Sequence, residues 1–240
     1  DSTSPPDALP YFQIFSPPID GRCGGVPSGQ KLYYAFDAGD IHFVCLDSMV
    51  SSRQPGSPML KWLEADLAAN RCSWTVAFWH HPPYTKGAID SDTETNATEM
   101  RRHVLPLLEQ HGVDLVLGGH SHVYERSVLL DGHYGDSATL TDAMRLDAGS
   151  GRPQESGPYR KPAGRVPHAG TVYVVVGASG EPLKGPLNHP AMAVSASVAG
   201  SLVLDVDARR LEARCLTETG AVLDQFAIVK EPLPAAVGPG

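Results

Sequence analysis

Apolar positions along the chain come in short blocks rather than one sustained period, and block length separates strands from helices. In KLYYAFDAGDIHFVCLDS, aromatic and β-branched residues flank Asp37-Ala38-Gly39-Asp40, which predicts a hairpin. SPMLKWLEADLAAN sets Leu60, Leu63 and Leu67 at helical spacing and predicts an amphipathic helix that stops at its final asparagine. WTVAFWHHPPY is a continuous apolar run halted by Pro82-Pro83, the pattern of a strand buried on both faces that runs out into a loop. ATEMRRHVLPLLEQHG returns to helical spacing up to Gly112, and VDLVLGG is a second short buried strand. Strand, loop, helix, strand in that order predicts an α/β unit with a parallel pair. The loops after its two strands then leave the same, carboxyl, edge of the sheet. His80 and His120 are therefore expected to be neighbours, although 40 positions separate them.

Beyond Ser127 the pattern changes. TVYVVVGAS, SLVLDVDARRLEARCLT and DQFAIVK read as strands with hairpin-like links and no helix between them, which predicts an antiparallel C-terminal third. The Gly/Pro-rich stretch from Gly149 to Gly170 is expected to be a loop covering or flanking the site. The opening segment to Gly29, rich in Pro, Gly and Ser, reads as an ordered loop at best, and EPLPAAVGPG (231–240) as a flexible tail after a single domain spanning 1–230.

Composition narrows the function classes. A chain of 240 residues that is 42% hydrophobic can bury one sizeable core. A formal charge of −8, with no basic run longer than Arg101-Arg102 or Arg209-Arg210, argues against nucleic acid as a partner and for small molecules. No apolar run approaches the roughly 18–20 residues of a membrane span, so no membrane role is expected. Cys23, Cys45, Cys72 and Cys215 form no CxxC pair; Cys45 and Cys215 fall in apolar runs, whereas Cys23 and Cys72 fall in loop-like sequence and could pair in an oxidising compartment.

Ten histidines are the candidate chemistry. A lone histidine is more often a surface or hydrogen-bonded residue than a ligand, and His111, His133 and His168 have nothing beside them to change that. His42 alternates with strand residues and reads as a structural hydrogen-bonder; His103 lies on the expected helix and should face water. His80, His120 and His122 differ because they follow buried strands. An extended HxH puts both imidazoles on one side of the chain, and Gly118-Gly119 lets the backbone approach closely. Neutral imidazoles suit a transition metal better than Ca or Mg. Three histidines can hold one catalytic zinc, but a two-metal site normally adds carboxylates. Asp114 should lie at the far end of its strand, and Glu125 is expected to pair with Arg126 or a neighbour. Other chemistries lack support: Ser179 in VGASGEP has Glu181 where a GxSxG elbow needs glycine, no phosphate-binding glycine loop follows a strand, and no cysteine–histidine spacing suggests a nucleophile.

AFWHHPPYTKG (77–87) and GGHSHVYERS (118–127), supported by YYAFDAGDIHFVCLDS and GTVYVVVGASG, resemble the calcineurin-like metallophosphoesterases, in particular bacterial proteins similar to purple acid phosphatases. The resemblance covers about Tyr11 to Lys230. It implies a β-sandwich flanked by helices, of mixed α/β class, and a two-metal hydrolase of small phosphate esters working by in-line attack of activated water. By that analogy His80 and His120 hold one metal and His122 the other, the metals being iron with zinc or manganese. Tyr84, which could contact phosphate or merely pack, His81, which could sit in the outer shell of the site or hydrogen-bond structurally, and His189 are candidates for the substrate rim. The family's D-x-[GH], GD and GNH[DE] motifs, which carry its remaining ligands and a catalytic histidine, are not in this sequence. The expectation is thus a C-terminal portion without the N-terminal βαβ part, scarcely active alone, from an extracellular or periplasmic protein. Two alternatives stay open: a non-catalytic metal- or ligand-binding module, and a mononuclear zinc hydrolase using His80, His120 and His122. Substrate identity and oligomeric state have no readable code.

Overall fold

A computed structural model describes residues 10–232. Strands β1 (Tyr34–Ala38) and β2 (Ile41–Cys45) form the expected hairpin, with Gly39 at φ 61°, a turn conformation glycine adopts without strain. A short helix, α1 (Pro10–Ile14), lies inside the stretch expected to be loop, anchored by buried Phe12. Helix α2 (Pro58–Ala69) buries Leu60, Leu63 and Leu67, with Met59 and Trp62 beside them. Its stop is a side-chain device: Asn70 accepts from the Cys72 N–H and donates to Thr75, turning the chain into β3 (Trp74–Trp79).

The second helical stretch is interrupted. Helix α3 (Thr95–Glu99) passes through a π turn, Met100–Val104, into α4 (Leu105–Gln110). Pro106 has no N–H for the Arg102 carbonyl, so the hydrogen-bond ladder widens there before resuming. His103 lies in that turn and does not simply face water: half-buried, it donates from Nδ1 to the Arg53 carbonyl at 2.9 Å.

The remaining strands are β4 (Leu115–Gly118), β5 (Tyr124–Ser127), β6 (Leu129–Leu130), β7 (Arg145–Asp147), β8 (Tyr159–Pro162), β9 (Val172–Val176), β10 (Met192–Ala196), β11 (Gly200–Val206), β12 (Arg210–Thr217) and β13 (Val222–Glu231). They build a seven-stranded sheet, β1-β2-β3-β4-β9-β5-β10, a four-stranded sheet, β11-β12-β13-β8, and the small β6-β7 ladder. Trp74, Val76, Leu115 and Val174 from the first sheet pack on Leu211, Ala213, Phe226 and Ile228 from the second. Helical Leu63, Val104 and Leu108 cover the other face of the larger sheet over Ala77 and Val116. The architecture is the expected mixed α/β sandwich flanked by helices. β3 and β4 pair in parallel, Val76 to Leu115 through Trp79 to Gly118, so their following loops do leave one edge together.

Three expectations need correction. β9 is antiparallel on one side only: it pairs antiparallel with β5 but parallel with β4, and its valines are buried because it lies inside the sheet between the two. The Gly149–Gly170 stretch is not all loop, since β8 within it pairs in parallel with β13 at the edge of the second sheet. Glu125 does not pair with Arg126, whose guanidinium is taken by Asp224 (Nε to Oδ2 2.6 Å). Of the tail, residues 233–240 lie outside those described, as do residues 1–9 of the opening segment.

Two buried ionic groups join the sheets. Asp114, just before β4 and so at the end far from the histidines, receives Lys161 of β8 at 2.7 Å and Lys230 of β13 at 2.8 Å, and the Lys230 ammonium sits 4.4 Å from the Trp74 ring centroid. Asp224 of β13 accepts from Arg126, Tyr124 and Arg152.

Candidate metal centre

His80 and His81 follow β3 directly, and His120 and His122 follow β4. The two loops are tied by the Gly119 N–H, which donates to the His80 carbonyl at 2.9 Å. A Cβ on Gly118 would stand 2.9 Å from Pro82 Cβ, so only glycine lets the loops come this close. His120 itself adopts φ 59°, a left-handed conformation uncommon for any residue but glycine. Its ring is thereby turned towards His80, with His120 Nδ1 3.1 Å from His80 Nε2.

His81 joins them. Its ring centroid is 4.4 Å from that of His120 and 4.9 Å from that of His80. One ring nitrogen from each of His80, His81 and His120 lies within 4.8 Å of the others, and among the described residues no carboxylate belongs to that group. His122 is not a member of that close group; its Nδ1 is buried and without a hydrogen-bond partner. Burial lowers the His80 pKa, and the neighbouring His120 and His122 lower it further. Burial likewise takes His81 down to about 4, helped by His120, His80 and Arg53 and opposed by Asp47. These two imidazoles are therefore neutral near pH 7, the form that donates a lone pair to a metal.

The donor set fits a transition ion. Two imidazole nitrogens bound about 2.0–2.1 Å from one tetrahedral centre lie about 3.3 Å apart, close to the observed facing pair.

Beneath the loops is a support that sequence reasoning missed. The Thr85 hydroxyl hydrogen-bonds the buried Glu125 carboxylate and lies 3.0 Å from Ser121 Oγ, the residue between the two loop histidines. Glu125 also accepts from the Lys86 N–H at 3.3 Å, and burial raises its pKa against the pull of these bonds. A Cβ on Gly177 would collide with the Ser121 carbonyl, so this glycine is a third support. The signal available for Thr85 was only its place in the run after His80; its contact with Glu125 spans 40 positions.

Two rim candidates are placed elsewhere. Tyr84 is 1% exposed, donates to the His133 carbonyl and stacks on the His133 ring at 5.4 Å, so it packs in the core and is not on a rim. His189 is buried beside it, ring centroid 5.5 Å from that of Tyr84, and accepts from the Ala191 N–H. His42 is the structural bonder expected, held between Asp37 at 2.6 Å and Asp66 at 2.8 Å. All four cysteines are unpaired, Cys23 and Cys72 included. Glu109, Asp131 and His168 form a second close group, but the Glu109 carboxylate is already satisfied by Tyr134, Tyr173 and the Gly132 N–H.

Burial pushes His189 down to about 3; Asp92 opposes this, while His133, Arg101 and Lys86 add to it. Its folded pKa lies below the unfolded value, so its stabilising effect is full above about pH 6.5 and is lost as pH falls towards 3. By pH 4 the loss should be about 3 kcal/mol. His189→Asn keeps an acceptor for Ala191 and removes the titration. Urea unfolding at pH 7 and pH 4 should show a smaller acid loss in the variant; equal losses would rule His189 out.

Residues 6–124 match the family model described as calcineurin-like phosphoesterase. The chain is 38% identical over 103 residues to Arabidopsis thaliana "Purple acid phosphatase 15", an alignment covering 42% of this chain and 19% of that one. It is 31% identical over 126 residues to "Probable inactive purple acid phosphatase 9" from the same plant, covering 49% of this chain and 19% of the relative. The match thus spans about a fifth of the length of these relatives. Among solved structures, the purple acid phosphatase PPD1 of yellow lupin superposes with TM-score 0.68 over 88% of this chain and 36% of that one, at 19% identity, a likeness of fold.

Proposed function

The chain belongs to the calcineurin-like phosphoesterases, with purple acid phosphatases among its homologues, and on that premise we propose that its histidine loops form part of a metal site for hydrolysing small phosphate esters. The observation that carries the proposal is the facing pair, His80 Nε2 and His120 Nδ1 at 3.1 Å, at the carboxyl edge of two parallel strands. His80 and His120 hold one ion, and His122, whose buried Nδ1 has no protein partner, serves a second. When bound, such ions polarise phosphoryl oxygens and acidify water. The protein's own share is positioning. The Gly119–His80 hydrogen bond fixes the loop spacing, and Thr85 with Glu125 fixes Ser121 and hence the two histidines beside it. Iron with zinc or manganese, and an extracellular or periplasmic location, go with this reading by kinship.

Neutral imidazoles cannot balance the charge of two cations, and no carboxylate among the described residues joins the group. The 240-residue chain alone is therefore expected to turn over p-nitrophenyl phosphate barely above the metal-only background with added Fe, Zn or Mn. Turnover near that of a full-length purple acid phosphatase would overturn this view of an incomplete site. The second reading, a non-catalytic metal-binding module, draws on the same lack of carboxylates and on the relative described as inactive. It predicts metal binding without turnover even when the segments present in longer relatives are supplied.

A further inference from the structure

Among the described residues, the close set of histidine donors is not the one the motifs suggest. His81 lies inside the close group and His122 outside it. The hydrogen bonds around His81 also determine which of its nitrogens is free. Arg53 donates from Nη2 to Asn96 Oδ1 at 2.8 Å, and since arginine only donates, the amide orientation of Asn96 is fixed. The Asn96 NH2 therefore points at His81 Nε2, 3.3 Å away, and Nε2 must be the acceptor. In a neutral ring the proton then sits on Nδ1, which donates to Ser48 Oγ at 2.8 Å; Ser48 Oγ also accepts from the His81 backbone N–H at 3.1 Å. One nitrogen of His81 is thus anchored to an outer partner, as in a metal-ligating histidine, and the lone pair of the other is held by the Asn96 amide. The anchor at Ser48 is short and doubled, while the Asn96 contact on the lone-pair side is single and long, so a stronger acid can displace it.

We propose that in this chain His81, through Nε2, joins His80 and His120 as the third ligand of a single divalent transition-metal ion, and that His122 is not needed to hold that ion. The inference rests on reading the histidine loops as a metal centre and adds which residues bind when no carboxylate is at hand. Three histidine nitrogens with a fourth position open match the donor count of a mononuclear zinc or cobalt site. Ser48 is a positioning residue that holds the tautomer, and Arg53 acts on the same ring through Asn96.

The test uses the 240-residue chain with Co2+ for stoichiometry and affinity by equilibrium dialysis, and Cu2+ for counting coordinated imidazoles by pulsed EPR. The wild type should bind one Co2+ and show three imidazoles on Cu2+. His81→Ala should bind Co2+ at least about 100-fold more weakly and show two imidazoles, and His122→Ala should match the wild type in both. Ser48→Ala, which leaves every ligand in place, should weaken Co2+ binding about 10–100-fold, the usual effect of losing an outer partner of a ligand; it also keeps the test open if His81→Ala fails to fold. Unchanged affinity and imidazole count in His81→Ala, or the loss of an imidazole in His122→Ala, would overturn the inference while leaving a metal centre at these loops. No Co2+ binding by the wild type would instead remove the metal-centre reading on which it rests.

Discussion

Replacing Asp224 by alanine is expected to lower the unfolding free energy by about 3–5 kcal/mol, the usual effect of stranding a buried charge. Asp224 lies in β13 of the smaller sheet and Arg126 in β5 of the larger, and both side chains are fully buried. Arg126 donates to both carboxylate oxygens, at 2.6 and 3.1 Å, and its guanidinium carbon sits 4.7 Å from the Phe226 ring centroid. Burial by itself would raise the Asp224 pKa; the hydrogen bonds and charge of Arg126, with the bonds from Tyr124 and Arg152, outweigh it and hold the carboxyl below its ordinary value. A carboxylate held low in the fold stabilises above its unfolded pKa of about 3.9, and that contribution fades as pH falls through the folded value. The alanine variant should therefore lose stability at pH 7 and show a shallower further loss on acidification. Urea unfolding reads both. The double variant Asp224→Leu with Arg126→Met removes both charges and should recover much of the loss, because the stranded guanidinium is the main cost. A single-variant effect under about 1 kcal/mol would show that water reaches Arg126 and that the pair does not join the sheets.

The same cluster shows where sequence reading stops. YERS looks like a polar strand, yet all four residues are buried, because Arg126 meets a partner 98 positions away and Glu125 one 40 positions away. Lys161 hides β8 in the same manner: a lysine in a Gly/Pro-rich stretch reads as surface, and only Asp114 across the sheets makes it interior. What the chain does reveal is local or periodic. The leucines of α2 predict its buried face, and strand–loop–helix–strand order alone brings His80 to His120. The continuous apolar run VYVVV of β9 signals a strand covered on both faces, but its place between β4 and β5 depends on how the chain crosses over. Tyr84 and His81 stand three positions apart in one loop and have opposite settings, one stacked in the core and one in the histidine triad. That division is made by Ser48, Asn96 and His133, none of which a motif records.

Replacing His120 separates the stability of the fold from the chemistry of the site. At φ 59° the residue occupies a conformation that costs a side-chain-bearing residue roughly 1 kcal/mol and costs glycine almost nothing. Glycine occupies such a turn at Gly112, just before the same strand, where φ is 68°, although His168 and Leu187 adopt it as well. On the proposed metal-site reading, histidine stands in that place because its ring must reach a common centre with His80. Without metal, His120→Gly should therefore be about 1 kcal/mol more stable than His120→Ala, because both lose the imidazole and only glycine also relieves the backbone. With Co2+ or Zn2+ at about 1,000 times its dissociation constant, the wild type should gain about 4 kcal/mol and neither variant should gain more than a small fraction of that. Thermal unfolding of the three proteins with and without the ion measures both differences. Equal stabilities of the glycine and alanine variants would show that the turn at 120 is unstrained. A metal-induced shift surviving in either variant would place the ion away from His120 and dismantle the triad. If both differences appear, the chain keeps a locally costly residue at the end of β4 because the ion returns more free energy than the turn consumes.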